Sequence, residues 1–180
     1  MAMVDTGSVR LHVQRIGPRG GQPATATVVL VHGLLTDSLA SYYFTVAPAF
    51  AAAGLDVVMY DLRGHGRSGR PAEGYTVEHN IDDLEALLDR LAVTGPVHLV
   101  GNSFGGTIAF GFAARRPERV ASVSLIESEP ATAAWAEKLG HPGPRRDPAR
   151  PQRARRDRLD QHPPRAQHGA AGQGRGQTGP

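Results

Sequence analysis

Residues 97–116 read VHLVGNSFGGTIAFGFAARR, and their character changes at one point. Val97 to Val100 form a short apolar run that ends at Gly101. Gly101-Asn102-Ser103-Phe104-Gly105 is a G-x-S-x-G, with Gly106 directly after it. Beyond it lies a stretch of small and apolar residues that closes before Pro117. The order predicts a strand, a sharp turn and a helix, with the serine at the apex in a strained conformation and its hydroxyl projecting outward. A helix starting at that serine offers free N–H groups and a positive dipole end to a developing oxyanion. In a chain with 22 glycines the five-residue pattern alone says little. The strand before it and the helix after it give it weight against a plain turn with a capping serine.

Working outward, the same kind of run recurs. TVVLVHG (27–33), DVVMYD (56–61) and ASVSLIE (121–127) are continuous and β-branched, as strands covered on both faces require. SVRLHVQRI (8–16) alternates and suits an edge strand, with Thr6-Gly7-Ser8 as a hairpin turn before it. Between the runs, Val77, Ile81, Leu84, Leu88 and Leu91 recur at three- and four-residue spacing. Thr76 can cap that helix and Gly95 can end it, while Pro48 and Gly54 bracket a shorter one. Strands alternating with helices predict an α/β protein with a doubly wound, mostly parallel sheet.

Two further loops carry information. Val31-His32-Gly33-Leu34 follows the third run, and Asp61-Leu62-Arg63-Gly64-His65-Gly66-Arg67-Ser68 follows the fourth. With Gly101 to Gly106 they stand in the order of three stations of the α/β-hydrolase family, and residues 8 to about 138 resemble that family's first half. The resemblance implies Ser103 as nucleophile, in an elbow shaped by Gly101, Asn102 and Gly105. It implies an oxyanion hole made by the backbone N–H groups of Leu34 and Phe104, each such donor typically being worth about 3 kcal/mol of barrier. His32, His65 and Asp61 read as groups that tie their loops together. The family's chain order is serine, acid, histidine. Glu127, at the end of the 121–127 run, resembles the acid position of some branches, and Glu129 is a weaker candidate. The base is unknown, because only His141, His162 and His168 follow the elbow and none follows a predicted strand. A serine at the elbow argues against dehalogenase or epoxide-hydrolase chemistry, where the family uses aspartate. Esters, lactones, thioesters and carbon–carbon bonds of small molecules remain, and the elbow is similar to that of the carbon–carbon hydrolases of aromatic catabolism.

Composition divides the chain. Residues 141–180 hold nine arginines against three aspartates, a charge of +6, so the formal +3 of the whole leaves −3 for the rest. Residues 1–138 are expected to form the hydrolase-like domain. Residues 139–180, rich in Arg, Pro and Gly with Leu159 as the one large apolar residue after Leu139-Gly140, are expected to be disordered. Nineteen of the twenty basic side chains are arginine, which fits GC-rich coding DNA, and a change of reading frame accounts for the tail's composition. A flexible arm for an acidic partner is the alternative. On this reading the domain is C-terminally truncated, lacks its histidine and turns over poorly; a non-catalytic remnant or binding module is the competing expectation. The tail has no aromatics to stack bases, so nucleic acid is not an expected partner. No cysteine is present, and no metal site or cofactor is expected. With neither a signal segment nor a membrane-length apolar run, the expected location is cytoplasmic. The oligomeric state is unknown.

Overall fold

The computed structural model describes residues 2–128. The expectations for residues 139–180, with Glu129, His141, His162 and His168, lie outside the described residues. Six strands and four α-helices follow in chain order: β1 (Ala2–Asp5), β2 (Arg10–Ile16), β3 (Thr27–Val31), α1 (Ala40–Tyr43), α2 (Ala47–Ala52), β4 (Asp56–Tyr60), α3 (Val77–Arg90), β5 (Val97–Asn102), α4 (Phe104–Arg115) and β6 (Val120–Ile126). The strands form one sheet in the order β1-β2-β4-β3-β5-β6. β4, β3, β5 and β6 are parallel, and β1 and β2 extend the sheet antiparallel beside β4.

β3 and β4 read as unbroken apolar runs because both of their faces are covered, whereas β6 is mostly exposed. Val29, Val31, Val58, Tyr60 and Leu99 share a core with Ile81, Leu84, Leu87 and Leu88 of α3 and Ile108, Ala109 and Phe112 of α4. Their strand neighbours Val28, Leu30, Val57 and Met59 face the other way, onto Tyr42, Ala47 and Ala51. The sheet is doubly wound, as expected.

Two expectations need correction. The strand at 10–16 is not an edge: β1 pairs outside it, with Met3 opposite His12. AMVD is too short to show a period, and Gly7, at φ 93°, makes the hairpin that brings it in. Nor does Gly95 end α3. The helix closes at Leu91, with Ala92 in the left-handed region at φ 54°. The N–H of Val93 reaches the carbonyl of Leu88 at 2.9 Å, and Val93 is buried. That reverse bond and its apolar contact stabilise the closing turn without a glycine.

The loop after β4 is anchored by a buried ion pair. Arg63 donates Nε–H and Nη2–H to the two oxygens of Asp83, each at 2.7 Å, and Ser8 donates to the same carboxylate at 2.7 Å. Among the described residues, no helix is long and apolar enough to cross a membrane.

Candidate active site

The sheet itself selects the place. From β3 the chain moves to β4 on one side, and later to β5 on the other. The crevice beyond the carboxyl ends of β3 and β5 is therefore the switch point where open α/β sheets hold ligands. The loop after β3 begins with His32 and Gly33, and the turn after β5 is Ser103.

Ser103 has φ 50° and ψ −120°, a conformation that costs a non-glycine residue energy and needs its surroundings to hold it. Three sets of bonds do so. Its N–H donates to the carbonyl of Ile126 on β6 at 2.9 Å, and its own carbonyl accepts the N–H of Gly106 at 2.9 Å. Ser128 donates its hydroxyl to that carbonyl at 2.6 Å. Ser103 precedes α4 yet makes no side-chain capping bond, and it is exposed. The hydroxyl is left for other use, which the capping-serine alternative does not allow.

The elbow glycines are required by close approach. A Cβ on Gly105 would meet the backbone carbonyl of Val31, and one on Gly101 would meet the backbone of Gly105 and Gly106. The start of α4 thus packs directly on β3, and Phe104 is buried at its first position.

The loop after β3 lies against the serine. A Cβ on Gly33 would stand 3.4 Å from Cβ of Ser103 and 3.6 Å from Nδ2 of Asn102. Asp37 accepts the N–H of Gly33 at 2.7 Å and that of Ser38 at 2.8 Å, and bonds the Ser41 hydroxyl. Burial pushes the Asp37 carboxyl up, but the bonds from Ser41, Gly33 and Ser38 outweigh it and hold it below the usual range. His32 is fully buried; its Nδ1–H donates to the Gly33 carbonyl at 2.7 Å and its Nε2 accepts the N–H of Leu62 at 2.9 Å. Burial lowers the His32 pKa, which keeps the ring neutral as these two bonds require. Tyr42 donates to the carbonyl of Val31 at 3.2 Å, and burial pushes its phenol up to about 12.

This arrangement matches a known family. A family model described as alpha/beta hydrolase fold matches residues 26–171. The chain belongs to the α/β-hydrolase fold family. Among relatives of this hydrolase-fold chain, lipase LipV of Mycobacterium tuberculosis is 38% identical over 119 residues, covering 66% of this chain and 42% of the lipase. Est816, described as an N-acyl homoserine lactone degrading enzyme, superposes with a TM-score of 0.62 at 30% identity, over 76% of this chain and 52% of that one. The enol-lactonase from Burkholderia xenovorans LB400 does so at 0.60 and 30%, over 67% of this chain and 44% of that one. The chain thus spans about half or less of the length of these relatives.

The remaining histidines of the described residues are engaged elsewhere. His65 Nδ1 bonds the carbonyl of Arg63, His79 bonds Thr76, His98 bonds Ser122, and His12 bonds Asp61. Asp61 accepts the N–H groups of Leu39 and Arg67, each at 2.9 Å. These bonds fit the loop-tying role expected of Asp61 and His65. Glu127 directly follows Ile126, whose carbonyl holds Ser103, and it is exposed at φ 48°. Sequence reading missed Asp37 and Ser128. An acid four residues after a loop glycine is a signal for the first, whereas the second has none, because it acts across two strands.

Proposed function

We propose that this protein is a serine hydrolase that cleaves an ester, lactone, thioester or carbon–carbon bond of a small molecule. Ser103 is its nucleophile, and the N–H groups of Phe104 and Leu34 receive the oxyanion. The observation that carries this is the exposed, uncapped Ser103 at positive φ, with Gly33 packed against its Cβ. Two features support the donors. Phe104 N–H opens α4, where backbone N–H groups have no partner within the helix. The peptide after Gly33 is planar and trans, so His32, by holding its carbonyl, turns the N–H of Leu34 the opposite way.

Three of the relatives are named as a lipase, an N-acyl homoserine lactone degrading enzyme and an enol-lactonase, which supports acyl–oxygen substrates, and a similar structure named as a meta-cleavage product hydrolase keeps the carbon–carbon alternative. Serine rather than aspartate at the elbow argues against epoxide and haloalkane substrates and is common to both alternatives. Glu127 is the candidate acid, at the end of the strand that holds Ser103. Within this sequence the histidines after Ser103 are His141, His162 and His168, outside the described residues, and none is assigned as the base. None of them follows a predicted strand, so this reading expects low turnover from the chain.

A fluorophosphonate probe tests the proposal. Slow labelling of the folded chain that vanishes in Ser103→Ala is the expected result. Folded protein that takes up no label, or labels equally well without Ser103, overturns it in favour of a non-catalytic binding module.

A further inference from the structure

Among the described residues, β1 and β6 are the two outer strands of the sheet, and they differ in kind. β1 is four residues long and ends in Asp5, and brevity and charge are how an edge avoids pairing with other chains. β6 is seven residues, VASVSLI, with neither a charge nor a proline. The register shift in its pairing lies at its start, so Ser122 to Ile126 run regularly beside β5. The carbonyl of Ile126 points inward, to the N–H of Ser103. Backbone polar groups alternate sides along a strand, so those of Val123 and Leu125 point outward.

The flanks of this edge are apolar as well. Val123 packs against the core that α4 covers, so Leu125, two residues on, lies on the α4 side, and it is 39% exposed. Phe110 of α4 is 46% exposed. It stands one turn beyond Gly106, where a Cβ would meet Ser128, so it lies on the side of the helix nearest the end of β6. Ile126, on the other face, is 45% exposed.

The sequence after Ile126 contains no valine, isoleucine, phenylalanine or tyrosine, so it holds no further run that reads as a strand. β6 is instead its own complement. Turned antiparallel about Val123, it sets Val123 opposite Val123, Ala121 opposite Leu125, Ser122 opposite Ser124 and Val120 opposite Ile126. Apolar side chains meet apolar ones and serine meets serine. The outward backbone groups also fall opposite one another, because Val123 faces its own copy in this register. Arg119 and Glu127 flank the strand at opposite ends and differ in sign, so no like charges meet; Arg119 is held by Asp89 of its own copy.

We propose that two copies of this chain pair through β6, antiparallel about a two-fold axis at Val123, and join their six-stranded sheets into one. Such an interface uses the same patch on both copies and closes at two. It is independent of the role assigned to Ser103.

Two measurements on the full chain test this. Light scattering from about 5 to about 200 μM should show the mass rising from 19.1 kDa toward twice that value, with a Kd of about 10–100 μM, as suits a small interface. Over the same range, amide exchange of Val123 and Leu125 should slow about two- to fourfold by mass action, while β1 exchanges unchanged. Ser124→Lys, at an exposed side chain, brings like charges near each other across the axis and should hold the mass at 19.1 kDa. Ser124→Thr should keep the dimer. Circular dichroism checks that both variants fold; if the lysine variant does not, amide exchange of the parent decides. The proposal is overturned by a mass that stays at 19.1 kDa, by assembly past two copies, or by a dimer that a folded Ser124→Lys leaves intact. It is equally overturned if the Val123 and Leu125 amides are protected alike at every concentration, as a segment of the same chain laid over β6 would make them.

Discussion

His32 donates its Nδ1–H to the carbonyl oxygen of its own neighbour, Gly33, at 2.7 Å, and takes the N–H of Leu62 on Nε2. One buried ring thus joins the loops that follow β3 and β4 and sets the plane of the peptide that leads into Leu34. His32→Phe keeps the volume but leaves the buried Leu62 N–H and Gly33 carbonyl without partners. Stability should fall by about 1–3 kcal/mol for each orphaned group. If Leu34 N–H is an oxyanion donor, the rate of Ser103 labelling should drop about 10²-fold as well. Urea unfolding and probe kinetics on the same samples separate the two effects. Loss of stability with an unchanged labelling rate would remove Leu34 from the oxyanion hole.

Acid should weaken the fold in two stages. The folded His32 pKa lies below its ordinary value of 6.5, so between the two values the unfolded chain binds more protons. That contribution is full above about pH 6.5 and declines as pH falls from there toward the folded value. Asp37 has the same sign at lower pH: its contribution is full above 3.8 and is lost as pH falls through its depressed folded value. Thermal unfolding across pH should show the first decline in the parent chain and not in His32→Phe.

Asp83→Asn should be strongly destabilising. Arg63 is 3% exposed and Asp83 1%, and removing the carboxylate charge leaves a guanidinium buried without its counter-charge. The cost of breaking such a pair from one side is about 3–5 kcal/mol. Asp82→Asn at the adjacent position of α3 is the control. Its Arg115 partner is on the surface and Asp82 is 63% exposed, so the change should stay within about 0.5 kcal/mol. Similar urea midpoints for the two variants would contradict this ranking.

Two glycines should separate folding from site function. Gly105→Ala drives a methyl into the Val31 carbonyl, backbone against backbone, and should yield little folded protein. Gly33→Ala meets Asp37 Oδ2 at 3.2 Å and Ser103 Cβ at 3.4 Å, contacts that side-chain shifts can absorb. The fold should survive, and labelling of Ser103 should slow as the methyl crowds the serine. Circular dichroism beside probe labelling checks both; a Gly33→Ala chain that labels at the parent rate would count against the site as described.

Much of this was legible before any coordinates. The runs at 27–31 and 56–60 are β-branched and unbroken because those two parallel strands bury both faces, and they appear, like the strands at 97–102 and 120–126, where they were expected. Thr76 caps α3 through the N–H of His79, as its position before Val77 and Glu78 implied. The elbow was readable because its glycines answer to local geometry. β1 was not, since four residues carry no period and its pairing depends on a hairpin. The end of α3 was misplaced because a tertiary contact of Val93 outweighed the preference for glycine at the turn.

By itself, then, the sequence determined the order of β2 to β6 with α2, α3 and α4 among them, the family, and the serine at the strand-to-helix turn. Each of these is encoded in neighbours along the chain, through side-chain period, φ preference and the space a missing Cβ leaves. Tertiary structure alone decided that Ile126 and Ser128 hold Ser103 in its strained conformation, that Asp37 and His32 grip the two ends of the Gly33 peptide, and that His12 meets Asp61 with one ring nitrogen left over. These contacts join groups brought together by strand order. Directional bonds a few ångströms long depend on that packing, which a linear pattern does not record.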